Sequence, residues 1–369
     1  VFLNGGNLLR RRGKMLEIDK VRGALLGEVC GDALGYPMKT LTTGKIIRRF
    51  GPFGLRTMIT SKNKKAKALV SDSTQMMLAT VDGLLWSDAK KLSSSDGVYR
   101  GFMRWFYSQT GEAPRRGQKS WTRRQPHEKD LCLVREKFMH ERRMPETGVL
   151  NALSNEEKGT TDKDINNSKG SAVLTRNIPL GILYWDKPEE AFSVGAEISA
   201  LTHSHATAYL AGGAVASLVS YLINGISLPK SIDKVNYLLS SRKGGENIIK
   251  LLTAAVEQAN KHPAGKSGVW EHLDSIRSLG GGDIAEEALA IAVYCATVMD
   301  DPFEAVITAA NHDGCSTVTG ALTGALEGIR FGTSFLPAYW VECVEASEIT
   351  SKMADMLFET EEKQRLTAQ

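Results

Sequence analysis

The chain has 369 residues, 42% hydrophobic and 24% charged, with a net charge of only +4. This is ordinary for a soluble globular protein of one large domain or two smaller ones, and Lys and Arg alternate with acids, which argues against a nucleic-acid surface. The five cysteines (Cys30, Cys132, Cys295, Cys315, Cys343) are scattered and lack CxxC spacing. They fit a reducing, cytoplasmic setting with neither a disulfide framework nor a zinc knuckle.

The opening "VFLNGGNLLRRRGK" (1–14) has no apolar core of a secretory signal. It is expected to be a flexible basic extension or an expression remnant, with Met15 as the natural start. No apolar run reaches the roughly 18 residues that span a bilayer, so no membrane partner is expected. From "IDKVRGALLGEVCGDALG" (18–35) onward the pattern is helical. Val21, Leu25 and Val29 share one face there, with Gly and Ala between them and Asp19 near the N-cap. The same period recurs at 73–86, 98–109, 189–202, 206–224, 244–261, 284–299, 301–311 and 316–332. Alternating strand patterns are almost absent. Interior Gly and Ala cost helix propensity but let helix axes approach closely. Residues 109–170 are the least regular stretch, with the basic, turn-rich "GEAPRRGQKSWTRRQPHEKD" and the polar "SNEEKGTTDKDINNSKG". Neither marks a domain boundary and no internal repeat is found. The prediction is one all-α domain over 15–369, a compact bundle with buried central helices.

Five polar or Gly-rich segments interrupt the apolar helices: "GDALGYPMKT" (31–40), "VSDSTQM" (70–76), "NSKGSAVLTRNIPLG" (167–181), "LTHSHATAYLAGG" (201–213) and "NHDGCST" (311–317). Each has a local structural reading. "SDST" suits a helix N-cap that lacks the acid of a capping box. "THSH" suits a cap with surface imidazoles, and "SKGSAVLTR" a glycine turn before a buried helix. "NHDGCST" begins a helix, where backbone N–H groups and the dipole favour an anion or metal. Yet Asp313 is its one carboxylate.

Taken in order, "GALLGEVCGDALGYP", "SDSTQMMLATVDGLL", "SKGSAVLTRNIPLGIL", "LTHSHATAYLAGGAVASL", "LGGGDIAEEALAIAVYCA" and "NHDGCSTVTGALTGALEG" resemble the ADP-ribosylglycohydrolase family, in the bacterial dinitrogenase-reductase-activating glycohydrolase form. "VYRGFMRWFYSQTGE" and "LPAYW" (336–340) fit as well, so the likeness runs from about residue 18 to about residue 350. It implies an all-α orthogonal bundle around a cleft that holds two Mg²⁺. Enzymes of this kind cleave the bond between the ribose anomeric carbon and a modified side chain, commonly arginine. The paired metals orient water and ribose hydroxyls about an oxocarbenium-like transition state.

Residue by residue, the resemblance implies a depleted site. The first metal motif resembles S/T-D-D-T, and here reads Ser71, Asp72, Ser73, Thr74. The last resembles D-G-D-S-D-S, and reads Asp313, Gly314, Cys315, Ser316, Thr317, Val318. A glutamate usual after the "GDALG" motif is Lys39. Lys39, Asp72 and Asp313 are therefore remnant catalytic positions, and Ser71, Asp72, Ser73, Cys315, Thr317 and Val318 remnant metal positions. No metal cofactor is expected, and Lys39 is expected to pair with Asp72 in place of the departed cations. The binding apparatus implied by the resemblance is Ser168, Gly170, Ser171, Ala172 and Arg176 around a diphosphate, with His203 and Asn311. Gly170 is there to admit the ligand, and Ala172 replaces a second glycine.

The expected function is a catalytically impaired binder of ADP-ribose or of an ADP-ribosylated protein. One alternative is an active metal-dependent ADP-ribosylarginine hydrolase. Another is an immunity-type protein that neutralises an ADP-ribosyltransferase by contact, with the basic extension and the Arg-rich stretch 115–124 as contact surfaces.

Overall fold

A computed structural model describes residues 15–60, 67–129, 131–155, 157–262 and 268–368. The expected extension at 1–14 lies outside them. The first half holds α1 (Ile18–Gly35), α2 (Thr43–Phe50), α3 (Asp72–Lys90), α4 (Ser94–Thr110), α5 (Thr147–Ser154), α6 (Ile178–Leu183) and α7 (Pro188–Ala200). Then come α8 (Ala206–Ile223), α9 (Leu228–Ser240), α10 (Glu246–Ala259), α11 (Leu273–Leu279), α12 (Ala285–Val298) and α13 (Pro302–Ala310). The last three are α14 (Ser316–Phe331), α15 (Ala338–Cys343) and α16 (Ser347–Ala368). Among the described residues there is no strand, only isolated bridges such as Gly170 with Ile284. The irregular stretch 111–146 is a run of short 3₁₀ turns, where Pro, Gly and charged residues leave no apolar stripe to bury.

The interior glycines explain the centre of the bundle. α1 and α14 cross in antiparallel sense with backbone on backbone. A Cβ on Gly23, Gly27 or Gly31 would overlap the carbonyl of Gly328, Gly324 or Gly320, and one on Gly35 that of Ser316. The four-residue spacing places these glycines on one helical face, so two axes approach with no side chain between them. Gly83 on α3 and Gly97 on α4 make a second such seam. Around these pairs pack large apolar groups, including the fully buried Trp105 and Trp340.

The N-cap of α1 is Glu17, and Asp19 lies beside it in the first turn, as expected, where it accepts a hydrogen bond from the Thr333 hydroxyl at 2.7 Å. One sequence expectation is corrected here. An apolar helix long enough to cross a membrane does exist, α8, but 83% of it is buried inside the bundle. Its small residues (Ala208, Ala211, Gly212, Ala216) pack against α7 and its apolar face is used up by the core.

Candidate ligand cleft

The cleft begins at the N-terminus of α3. Ser71 caps it, its hydroxyl accepting from the Ser73 N–H at 3.1 Å. Asp32 of α1 reaches across and accepts from the Ser71 N–H at 2.8 Å and the Thr74 hydroxyl at 2.7 Å. This clamp ties the first turn of α3 to α1 and leaves Asp72 facing the cleft. Asp32 and its neighbour Glu28 are fully buried, and desolvation raises the pKa of both carboxyls.

Opposite Asp72 stands Lys39, delivered by the 3₁₀ turn Tyr36–Met38 that ends α1. Its ammonium lies 3.6 Å from Asp72 Oδ1 and donates to the Met144 carbonyl at 3.4 Å. Burial works against the Lys39 charge, but Asp72, Cys315 and Asp32 outweigh it and raise its pKa. Burial likewise pushes Asp72 up to about 6, with Lys39 pulling the other way. Lys39, Asp72 and Ser73 form one side of a cavity of about 290 Å³, and Ser171, Cys315 and Val318 form another. That volume is at the lower end of small-molecule pockets, large enough for a ribose and its linked group.

Glu146 closes the third side, and the sequence reading missed it. Arg176 donates to the Thr202 hydroxyl oxygen at 2.9 Å, and that hydroxyl lies 2.9 Å from His203 Nδ1. Glu146 Oε2 is 3.4 Å from His203 Nε2, and an ionised carboxylate only accepts. The proton of the neutral imidazole therefore sits on Nε2, and Thr202 donates to Nδ1. The Ser168 hydroxyl donates to Glu146 Oε1 at 2.9 Å. Burial alone would raise the Glu146 pKa; the His203 contact, Ser168 and Arg176 reverse this and hold it at about 2. His203 itself is pushed down by burial, which keeps it neutral.

A pH prediction follows from that direction. Since the folded carboxyl titrates below its unfolded value of 4.5, its stabilisation is full above about pH 5. It is lost as pH falls toward 2, by no more than about 3 kcal/mol. Urea unfolding of wild type and Glu146→Gln should differ most at neutral pH and converge in acid. A constant difference across that range would show that Glu146 contributes by packing instead.

A family model for ADP-ribosylglycohydrolase matches residues 14–367. The chain belongs to the ADP-ribosylglycohydrolase family. It is similar to "ADP-ribosylarginine hydrolase Tri1" of Serratia proteamaculans, with 23% identity over 354 residues, 92% of this chain and 79% of that protein. In structure it resembles the "ADP-ribosylglycohydrolase-related protein complex" with a TM-score of 0.63 and 19% identity, covering 93% of this chain and 98% of that one.

The family motifs do converge, but not all expected side chains reach the cleft. Asp313 points away and forms an ion pair with Arg277 at 2.8 Å. Asn311 is buried as a structural amide that donates to the Leu55 carbonyl and accepts from the Leu55 N–H at 2.7 Å. Ser71 and Thr317 are fully buried, and Arg176 and His203 act beneath the surface through Thr202 and Glu146. His203 is thus no surface imidazole; its neighbour His205 makes the cap, accepting from Thr207 N–H at 3.2 Å. The phosphate-loop expectation also changes. The Gly170 and Ser171 N–H groups are taken by the Ser168 hydroxyl and the Asp283 carbonyl. A Cβ on Gly170 would collide with the Glu146 carboxylate, so that glycine makes room for Glu146. Gly170, Ser171 and Ala172 do line the cleft.

Proposed function

We propose that this ADP-ribosylglycohydrolase-family protein binds an ADP-ribosyl group in the cleft without metal-assisted hydrolysis. The supporting observation is the Lys39 ammonium 3.6 Å from Asp72. Two Mg²⁺, as the family resemblance implies, would need near-octahedral oxygen shells. The donors here do not fit them. Ser73 and Val318 bring no carboxylate, Cys315 brings a thiol better suited to softer metals, and Lys39 sets a positive charge against Asp72; of the other lining carboxylates, Asp283 and Glu146, the second is already held by His203 and Ser168. Asp313, the other remnant acid, is engaged by Arg277. Lys39 and the cleft hydroxyls of Ser73 and Ser171 suit an anionic, hydroxyl-rich ligand instead.

One observation favours a second reading, hydrolysis. Glu146 is an ionised carboxylate on the cleft wall, held by His203 and Ser168, and could assist water. The Serratia relative is named as an ADP-ribosylarginine hydrolase. Calorimetry with ADP-ribose, run with Mg²⁺ and with EDTA, separates the two when paired with a release assay on ADP-ribosylarginine. Binding that ignores Mg²⁺, with no ADP-ribose released, is expected. Mg²⁺-dependent release at turnover rates would overturn the binder reading.

A further inference from the structure

The irregular stretch 111–146 holds a second cluster of chemistry, away from the cleft. Asp82 lies ten residues beyond Asp72 on α3, about 15 Å along the helix. Around it stand His127 and Glu128, from the 3₁₀ turn Pro126–Glu128, and Arg104 of α4. One donor atom from each of Asp82, His127 and Glu128 falls within 4.8 Å of the others. His127 Nε2 is 2.8 Å from Asp82 Oδ1; the Cys132 thiol stands outside that group of three but only 2.9 Å from Glu128 Oε1. The side chains of Asp82, Glu128 and Arg104 are at least 97% buried and that of His127 is 91% buried.

We propose that Asp82, His127, Glu128 and Cys132 form a structural site for a divalent borderline cation of the zinc class. The ligand chemistry is right: one imidazole nitrogen, one sulfur and two carboxylate oxygens are the donors that four-coordinate zinc takes. The two carboxylates have outer partners as well, while the buried His127 Nδ1 has none. Arg104 donates to Asp82 Oδ2 at 3.0 Å, which leaves Oδ1 turned toward His127. It also donates to Glu128 Oε1 at 2.6 Å, and the Gln125 N–H holds Glu128 Oε2. Carboxylate ligands fixed by such second partners are the rule in metal centres.

Charge points the same way. Two buried carboxylates face one guanidinium, so the cluster lacks a positive charge, and an unbalanced buried charge is costly. With Cys132 as thiolate, three anionic ligands, Arg104 and a divalent ion sum to zero. Loading displaces one proton from Cys132 to solvent and moves the His127 ring proton from Nε2 to Nδ1. The bound ion would fasten the 3₁₀ turns at 126–135 to α3 and α4, where few apolar groups do so.

The test uses the full chain, stripped with a chelator and titrated with Co²⁺ alone. One equivalent should bind, with a thiolate-to-cobalt charge-transfer band that vanishes in Cys132→Ser and persists in Cys315→Ser. Zinc affinity, read by dye competition, should fall by more in His127→Gln than the about 10- to 100-fold that loss of an outer partner costs. Should Cys132→Ser fail to fold, X-ray absorption of the zinc-loaded wild type decides. One sulfur at about 2.3 Å supports the site, and an all-oxygen shell overturns it. A wild-type protein that takes up neither Co²⁺ nor Zn²⁺ overturns it too, leaving a closed polar network of Asp82, His127, Glu128 and Arg104. A cobalt band lost only in Cys315→Ser would also refute it, because the metal would then sit in the cleft.

Discussion

Five changes made together, Lys39→Glu, Ser73→Asp, Cys315→Asp, Thr317→Asp and Val318→Ser, should give a protein that binds Mn²⁺ and releases ADP-ribose from ADP-ribosylarginine. The wild type should do neither. The expected gain is at least about a thousandfold in rate, or about 4 kcal/mol of transition-state stabilisation. The scaffold supports this because Asp32 already clamps the first turn of α3 and Glu146 is already ionised on the opposite wall. Single changes should fail. An aspartate at 73 or 317 enters an environment at most 2% exposed, the first of them beside Asp72, and costs desolvation and repulsion before it gains an ion. Each single variant should therefore melt below wild type, and the full set should recover stability on adding Mn²⁺. If wild type already turns over the substrate as fast as the five-fold variant, the depleted-site reading fails. If the variant takes up Mn²⁺ and stays inert, the defect lies elsewhere, first at Ala172 on the cleft wall.

The second large effect concerns the α1–α14 crossing. Gly27→Ala and Gly324→Ala should each cost about 3 kcal/mol or more, the upper range for overpacking, because the added methyl meets backbone carbonyl with no rotamer to relieve it. Gly44→Ala is the control. It sits in α2 with nothing within 4 Å of the added carbon, and should be neutral or stabilising by up to about 1 kcal/mol. Urea unfolding of the three variants decides. If Gly27→Ala and Gly44→Ala behave alike, the close crossing is not what the glycines are for.

The helices and their glycine seams were legible because periodicity and small residues report directly on burial. The gathering of the five polar segments was legible only through the family resemblance. Side-chain direction within turns was not. Asn311 and Asp313 are two residues apart in one turn, and one bonds the Leu55 backbone while the other reaches Arg277. Nothing local distinguishes a side chain that faces a cleft from one that faces a distant backbone group. Glu146 was missed for a related reason. It lies in "RRMPETG", a stretch without periodicity, and its place is set by His203 and Ser168, far along the chain. Gly170 does line the cleft, but the group that presses on it there is the unnoticed Glu146 carboxylate.

The antiparallel glycine crossing has a bearing on how this cleft could change its chemistry. Its last contact, Gly35 against Ser316, lies between Lys39, four residues past the end of α1, and Cys315, the residue before α14. The two sides of the cleft are thus spaced by main-chain atoms meeting main-chain atoms, a ruler that no side-chain substitution inside the cleft can lengthen. A scaffold gauged in this way admits lysine, thiol or valine on the cleft wall without a change in aperture. Shape and reactivity become separately heritable, so a pocket can keep its mould while the groups on its wall are exchanged.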